Sequence, residues 1–134
     1  VIDNSQSMQP VFKGLAAGIS HLVGSLGQSL AATDGLPPIM ELITFDDAVT
    51  SRGATRDLKV LLEKVNAVTL AEDLKCATAS TEAIMAAAQN LKAGGMMVLA
   101  THSAPTEGTN LNGLKDLLAS KKIRLNVLLA GECQ

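Results

Sequence analysis

Aromatic side chains are almost missing from this sequence. It has no tryptophan, no tyrosine and two phenylalanines, Phe12 and Phe45. A platform that stacks bases or sugar rings needs several exposed rings, so recognition of that kind is excluded. An excess of one charge is also missing. The formal net charge of −2 gives no electrostatic case for nucleic acid or for an anionic membrane surface. No apolar run approaches the roughly 20 residues that span a bilayer, so direct membrane insertion is not expected. Cysteine is scarce. Cys76 and Cys133 are too few for a disulfide framework, although they suffice for one bridge; the alternative is two small buried thiols. No signal peptide is recognisable, and the chain opens on Val1 and stops at Gln134. We therefore expect a piece of a longer polypeptide, in which missing targeting signals carry no weight.

What is present is a globular composition. Hydrophobic residues make up 47% and charged residues 18% of 134 positions, enough for one domain over residues 1–134. With so few rings, its core must be built from Leu, Ile, Val, Met and Ala.

The periodicities alternate between strand and helix. Val1-Ile2 reads as the end of a buried strand. Over residues 7–32, Leu15, Ile19, Leu22, Leu26 and Leu30 recur at helical spacing. Gly14, Gly18, Gly24 and Gly27 weaken this helix by roughly 1 kcal/mol each, unless they allow close packing on a sheet. "TDGLPP" breaks the chain. Residues 39–45, "IMELITF", read as a strand, and "AVTSRGAT" as a short partner strand. Residues 56–68 form an amphipathic helix with Leu58, Leu61, Leu62 and Val65 on its apolar face. A loop leads to a helix over 80–91, closed by Gly94-Gly95. A buried strand over 96–102, a helix over 110–120 and a last strand over 123–131 complete the order β-α-β-β-α-α-β-α-β. That alternation predicts an α/β fold: a doubly wound, mostly parallel central sheet flanked by helices. Ligands of such sheets sit beyond the carboxyl ends of the strands, where strand order reverses. The segments "DNSQS", "AEDLKCATAS" and "THSAP" are expected there.

Asp3, Ser5 and Ser7 are hard oxygen donors just past a strand end, and alternate residues of an extended turn can face one way. One carboxylate and two hydroxyls form a partial shell that Mg²⁺ or Mn²⁺ accepts. The competing explanation is helix capping, because Asn4, Ser5 and Ser7 are all good N-cap residues and a helix begins here. Elsewhere the ordinary readings prevail. His21 beside an apolar helix face is structural, and Asp46 and Asp47 end a strand in a solvated turn. Glu72 and Asp73 are acidic loop residues that could support a cation from behind. Thr106 and Glu107 read as a helix cap, and Met96 and Met97 as core filling.

"DNSQSM" has the form Asp-x-Ser-x-Ser-Met. With its strand before and long helix after, it resembles the first segment of the metal-ion-dependent adhesion site of von Willebrand factor type A domains. The strands "ELITFDD" and "GGMMVLATH" resemble that family too. The cysteines in "KCATASTEAI" and "LAGEC" resemble its hemicentin-like subgroup. The resemblance covers the chain in element order. It implies a non-enzymatic binding or adhesion module that recognises a protein ligand, through an acidic side chain completing the shell of a divalent cation. It carries over Asp3, Ser5 and Ser7, and places a second-segment threonine at Thr78, with Asp73 and Thr81 as alternatives. It also pairs Cys76 with Cys133, and a bonded pair would imply a secreted, periplasmic or cell-surface location. The third segment departs from the pattern: where the family has Thr-Asp, this chain has Thr101-His102. An imidazole removes one charge and one hard donor. Three outcomes stay open: an Mg²⁺-type site, a transition-metal site, or a site without metal.

Two other readings are carried alongside. One is an intracellular A-type scaffold domain of a chelatase- or ATPase-linked assembly, which free thiols would favour. The other is a haloacid-dehalogenase-like, Mg²⁺-dependent phosphohydrolase with Asp3 as nucleophile. The latter wants a second Asp where this chain has Ser5. No Gly-x-Ser-x-Gly elbow, phosphate loop or His-Glu-x-x-His motif is present.

Overall fold

A computed structural model describes residues 1–32, 38–72, 76–102, 104–105 and 110–129. Its strands are β1 (Ile2–Asp3), β2 (Met40–Phe45), β3 (Val49–Thr55), β4 (Ala77–Thr78), β5 (Met96–Thr101), β6 (Ala104–Pro105) and β7 (Arg124–Leu129). Its helices are α1 (Gln9–Ala32), α2 (Leu58–Asn66), α3 (Ser80–Asn90) and α4 (Leu111–Lys121), and a 3-10 turn over Gln6–Met8 precedes α1.

Strand β2 shows how the sheet organises the core. Its buried residues alternate: Leu42 turns to one face, and Ile43 and Phe45 to the other. Leu42 packs with Ile2, Ala16 of α1, and Leu61 and Val65 of α2. Ile43 and Phe45 pack with Ala83, Ile84 and Ala88 of α3, Leu114 of α4, and Met97 and Leu99 of β5. Each face of the sheet is thus covered by a different helix pair, which buries strands that are apolar on both sides.

The main sheet has five strands in the order β3-β2-β1-β5-β7. Strand β1 runs parallel to both β2 and β5, β5 is parallel to β7, and only β3 is antiparallel, paired with β2. From β1 the chain builds outward through β2 to β3, then returns to the other side of β1 for β5 and β7. The reversal falls between β1 and β5, so the crevice expected for a ligand lies at their carboxyl ends.

Helix boundaries follow local chemistry. Asp57 caps α2, its Oδ1 accepting from Lys59 N–H at 2.9 Å. Asn110 caps α4 by accepting from Gly113 N–H at 2.9 Å. The ammonium of Lys121 donates to the carbonyls of Ala88, Gln89 and Leu91, at 2.7, 3.1 and 2.8 Å, closing the C-terminal end of α3 from the end of α4. The Val1 amino group donates to Val98 O at 2.8 Å, and burial lowers its pKa from 8.0 to about 6.

Several expectations are corrected. Gly14, Gly18 and Gly24 do not pack closely on the sheet: a Cβ at any of them would meet nothing within 4 Å. The apolar stripe of α1 was expected to run through Leu22, but Leu22 is exposed, and contact with the core comes from Phe12, Leu15, Ala16 and Ile19. Gly94 and Gly95 do not terminate α3, which stops at Asn90; Gly94 instead takes φ +78° in the turn before β5. Met97 fills the core while Met96 is exposed. His21 is exposed. The two-residue strands β4 and β6 were read as loop, and they form a small parallel sheet of their own.

Candidate functional site

The carboxyl end of β1 supplies the first group. Asp3 pairs in register with Phe45 of β2, and Asn4 N–H continues that ladder to Phe45 O at 2.8 Å. Asp3 is fully buried, although its side chain is acidic. Such a group needs partners. Its Oδ1 accepts from Ser5 N–H at 2.9 Å, and its Oδ2 accepts from the Thr101 hydroxyl at 2.8 Å, with His102 N–H farther off at 3.4 Å. These three donors, its partners among the described residues, are all neutral.

Ser5 and Ser7 are buried beside it, and their hydroxyl oxygens are 2.7 Å apart in a hydrogen bond. Capping does not explain Ser5. Ser5 occupies the cap position of the 3-10 turn but makes no side-chain cap bond. Asn4 turns away as well, its Nδ2 donating to Thr69 O at 3.3 Å.

The remaining elements close around this end of the sheet. Ala71 N–H donates to Asn4 O at 2.7 Å, fixing the loop after α2 over β1. Ala79 N–H donates to Asp46 O at 2.7 Å, fixing the start of α3 at the end of β2. Thr78, fully buried, lies between that anchor and the β4–β6 pairing, where it is in register with Pro105. Thr81 is buried one turn into α3. Asp46 makes an Asx-type turn, its Oδ1 accepting from Ala48 N–H at 3.1 Å, and Asp47 is exposed.

The expected site residues therefore divide. Direct hydrogen bonds join Asp3 to Ser5, Ser5 to Ser7, and Asp3 to the backbone of His102. Thr78 reaches the same end of the sheet through backbone pairing. The His102 ring is partly buried, and its Nδ1 is enclosed without a hydrogen-bond partner. Glu72 is exposed, and Asp73, Thr106, Glu107 and Cys133 lie outside the described residues. Cys76 is exposed as a residue but is not a free thiol. Thr101 was missed: a threonine inside "MMVLATH" reads as a β-former, and only the pairing of β5 with β1 shows what its hydroxyl touches.

Asp3, Ser5 and Ser7 bring one carboxyl group and two hydroxyls together, the oxygen chemistry that hard cations take. The 2.7 Å between the two hydroxyl oxygens is the length of an ordinary O–H···O hydrogen bond. Among the described residues no three His, Cys, Asp or Glu side chains converge as ligands, so the set is mainly hydroxyl. No helix among the described residues is long and apolar enough to cross a membrane. No family model, no curated protein and no solved structure matches this chain.

Proposed function

We propose that this chain is a binding module of the von Willebrand factor A type, recognising a protein ligand at the carboxyl ends of β1 and β5. The observation that carries this reading is a fully buried carboxyl group, Asp3, held by neutral donors at the carboxyl end of β1 beside two buried serine hydroxyls. A buried acidic side chain whose partners among the described residues are all neutral supports a counter-charge nearby. Strand order, the antiparallel β3 and the position at the reversal between β1 and β5 support the same reading.

Ser5 and Ser7 would hold a divalent cation, with Asp3 behind them as the neutralising carboxylate. The bound ion would supply an open coordination position for an acidic side chain of the partner. Mg²⁺ or Mn²⁺ is the fitting ion by donor type, since carboxylate and hydroxyl are hard oxygens, and the imidazole of His102 is a donor that a transition metal accepts. The outward, ligand-facing use of such a site accords with a location outside the reducing cytosol if Cys76 is bonded to Cys133. A nucleophilic role for Asp3 is disfavoured, because both of its oxygens are committed to internal hydrogen bonds.

Calorimetric titration with Mg²⁺, Mn²⁺ and Zn²⁺ tests the proposal. Saturable binding of Mg²⁺ or Mn²⁺ that disappears in Asp3→Ala is the expected result. The absence of binding by all three ions would remove the metal-dependent reading.

A further inference from the structure

We infer that Thr101 is the positioning residue of this centre: its hydroxyl sets the plane of the Asp3 carboxylate and thereby the placement of Ser5. The inference rests on the cation-binding reading above and deepens it. A carboxylate can turn about χ2, and one hydrogen bond does not fix its plane. Asp3 has a local bond, from Ser5 N–H to Oδ1, and a distant one, from Thr101 Oγ1 to Oδ2 across 98 positions of sequence. The pair of bonds holds both oxygens.

Thr101 is well built for this task. It is the last residue of β5, buried, and held in parallel register opposite Leu129 of β7. Its β-branched side chain has restricted χ1 freedom. It lies on the same face of the strand as Leu99 and Met97, both in the core with Phe45, the register partner of Asp3. The hydroxyl therefore projects from a rigid sheet. His102 follows the strand end and offers only a backbone N–H at 3.4 Å, which is too long to set an orientation. Side chains that orient a metal-binding group in this way typically change metal affinity 10–100-fold when removed.

The test compares Thr101→Val, which keeps shape and loses the hydroxyl, with Thr101→Ser, which keeps the hydroxyl. Two readouts are taken: amide hydrogen exchange at Ser5 in the metal-free protein, and Mn²⁺ affinity by calorimetry. The valine protein should exchange the Ser5 amide about tenfold faster or more and weaken Mn²⁺ about 10–100-fold. The serine protein should match the parent in both. If the valine protein does not fold, Thr101→Ala carries the same expectation. Unchanged Ser5 exchange in the valine or alanine protein overturns the inference, as does a serine protein that loses as much as valine. If the parent binds no Mn²⁺ while Ser5 exchange responds as expected, the cation reading fails and the positioning role stands.

Discussion

Ser5 Oγ and Ser7 Oγ lie 2.7 Å apart, both buried, on a turn whose cap residue, Ser5, makes no side-chain cap bond. If the two hydroxyls serve a cation, their removal should cost affinity more than stability. Ser5→Ala or Ser7→Ala each removes the hydrogen bond between the two hydroxyls, worth about 1 kcal/mol of folding. Each should also weaken Mn²⁺ by at least an order of magnitude. Urea unfolding of the metal-free proteins, beside calorimetry with Mn²⁺, separates the two effects.

Asp3→Asn should act in opposite directions with and without metal. It removes a buried charge whose partners are neutral, while Asn can still accept from Ser5 N–H and donate to Thr101. Thermal unfolding in chelator is expected to show a stability equal to or above that of the parent. Addition of Mg²⁺ at a hundredfold excess over Kd should stabilise the parent by about 2.7 kcal/mol and leave the variant unchanged.

His102→Asp restores a carboxylate beside Asp3. Two like charges close together destabilise the metal-free protein, by about 2–4 kcal/mol for a separation of roughly 4–8 Å at an effective dielectric of about 20. A hard dication gains from the same change, so Mg²⁺ affinity should rise by about tenfold while any Zn²⁺ affinity falls. Paired titrations of parent and variant with the two ions check both directions.

The buried amino group of Val1 makes stability depend on pH. Its pKa falls from 8.0 to about 6 because burial penalises the charged form. Between those values the unfolded chain binds more protons than the folded one. Its full contribution is therefore present above about pH 8 and is lost as pH falls through about 6, a span worth about 2–3 kcal/mol. Urea midpoints across that range should rise with pH in the 134-residue chain bearing a free amine. Acetylation of Val1 should flatten the rise.

The readable parts of this fold are those governed by long periodicity. The alternation in "ELITF" and the apolar stripe of Leu58, Leu61 and Val65 each recur often enough to outweigh local noise, and the order of elements along the chain follows from them, whereas the order of strands in the sheet does not. The pairs Ala77–Thr78 and Ala104–Pro105 are too short to show any period, and their pairing is a tertiary event. The α1 glycines were misjudged because sequence carries no sign of which helix face meets the sheet when small residues occupy several faces. At the site, the spacing of Asp3, Ser5 and Ser7 draws attention, but spacing alone fits helix capping as well, and it is the resemblance of "DNSQSM" that singles them out. Thr101 stands out in neither way, since its significance arises from a bond across 98 positions.

The parallel pairing of Thr78 with Pro105 ties the segment entering α3 to the segment leaving β5. Ala79 is also hydrogen-bonded to Asp46 O at the end of β2. The entry to α3 is thus tied on two sides at once, to the segment after β5 and to the end of β2, so displacing it breaks backbone hydrogen bonds to both.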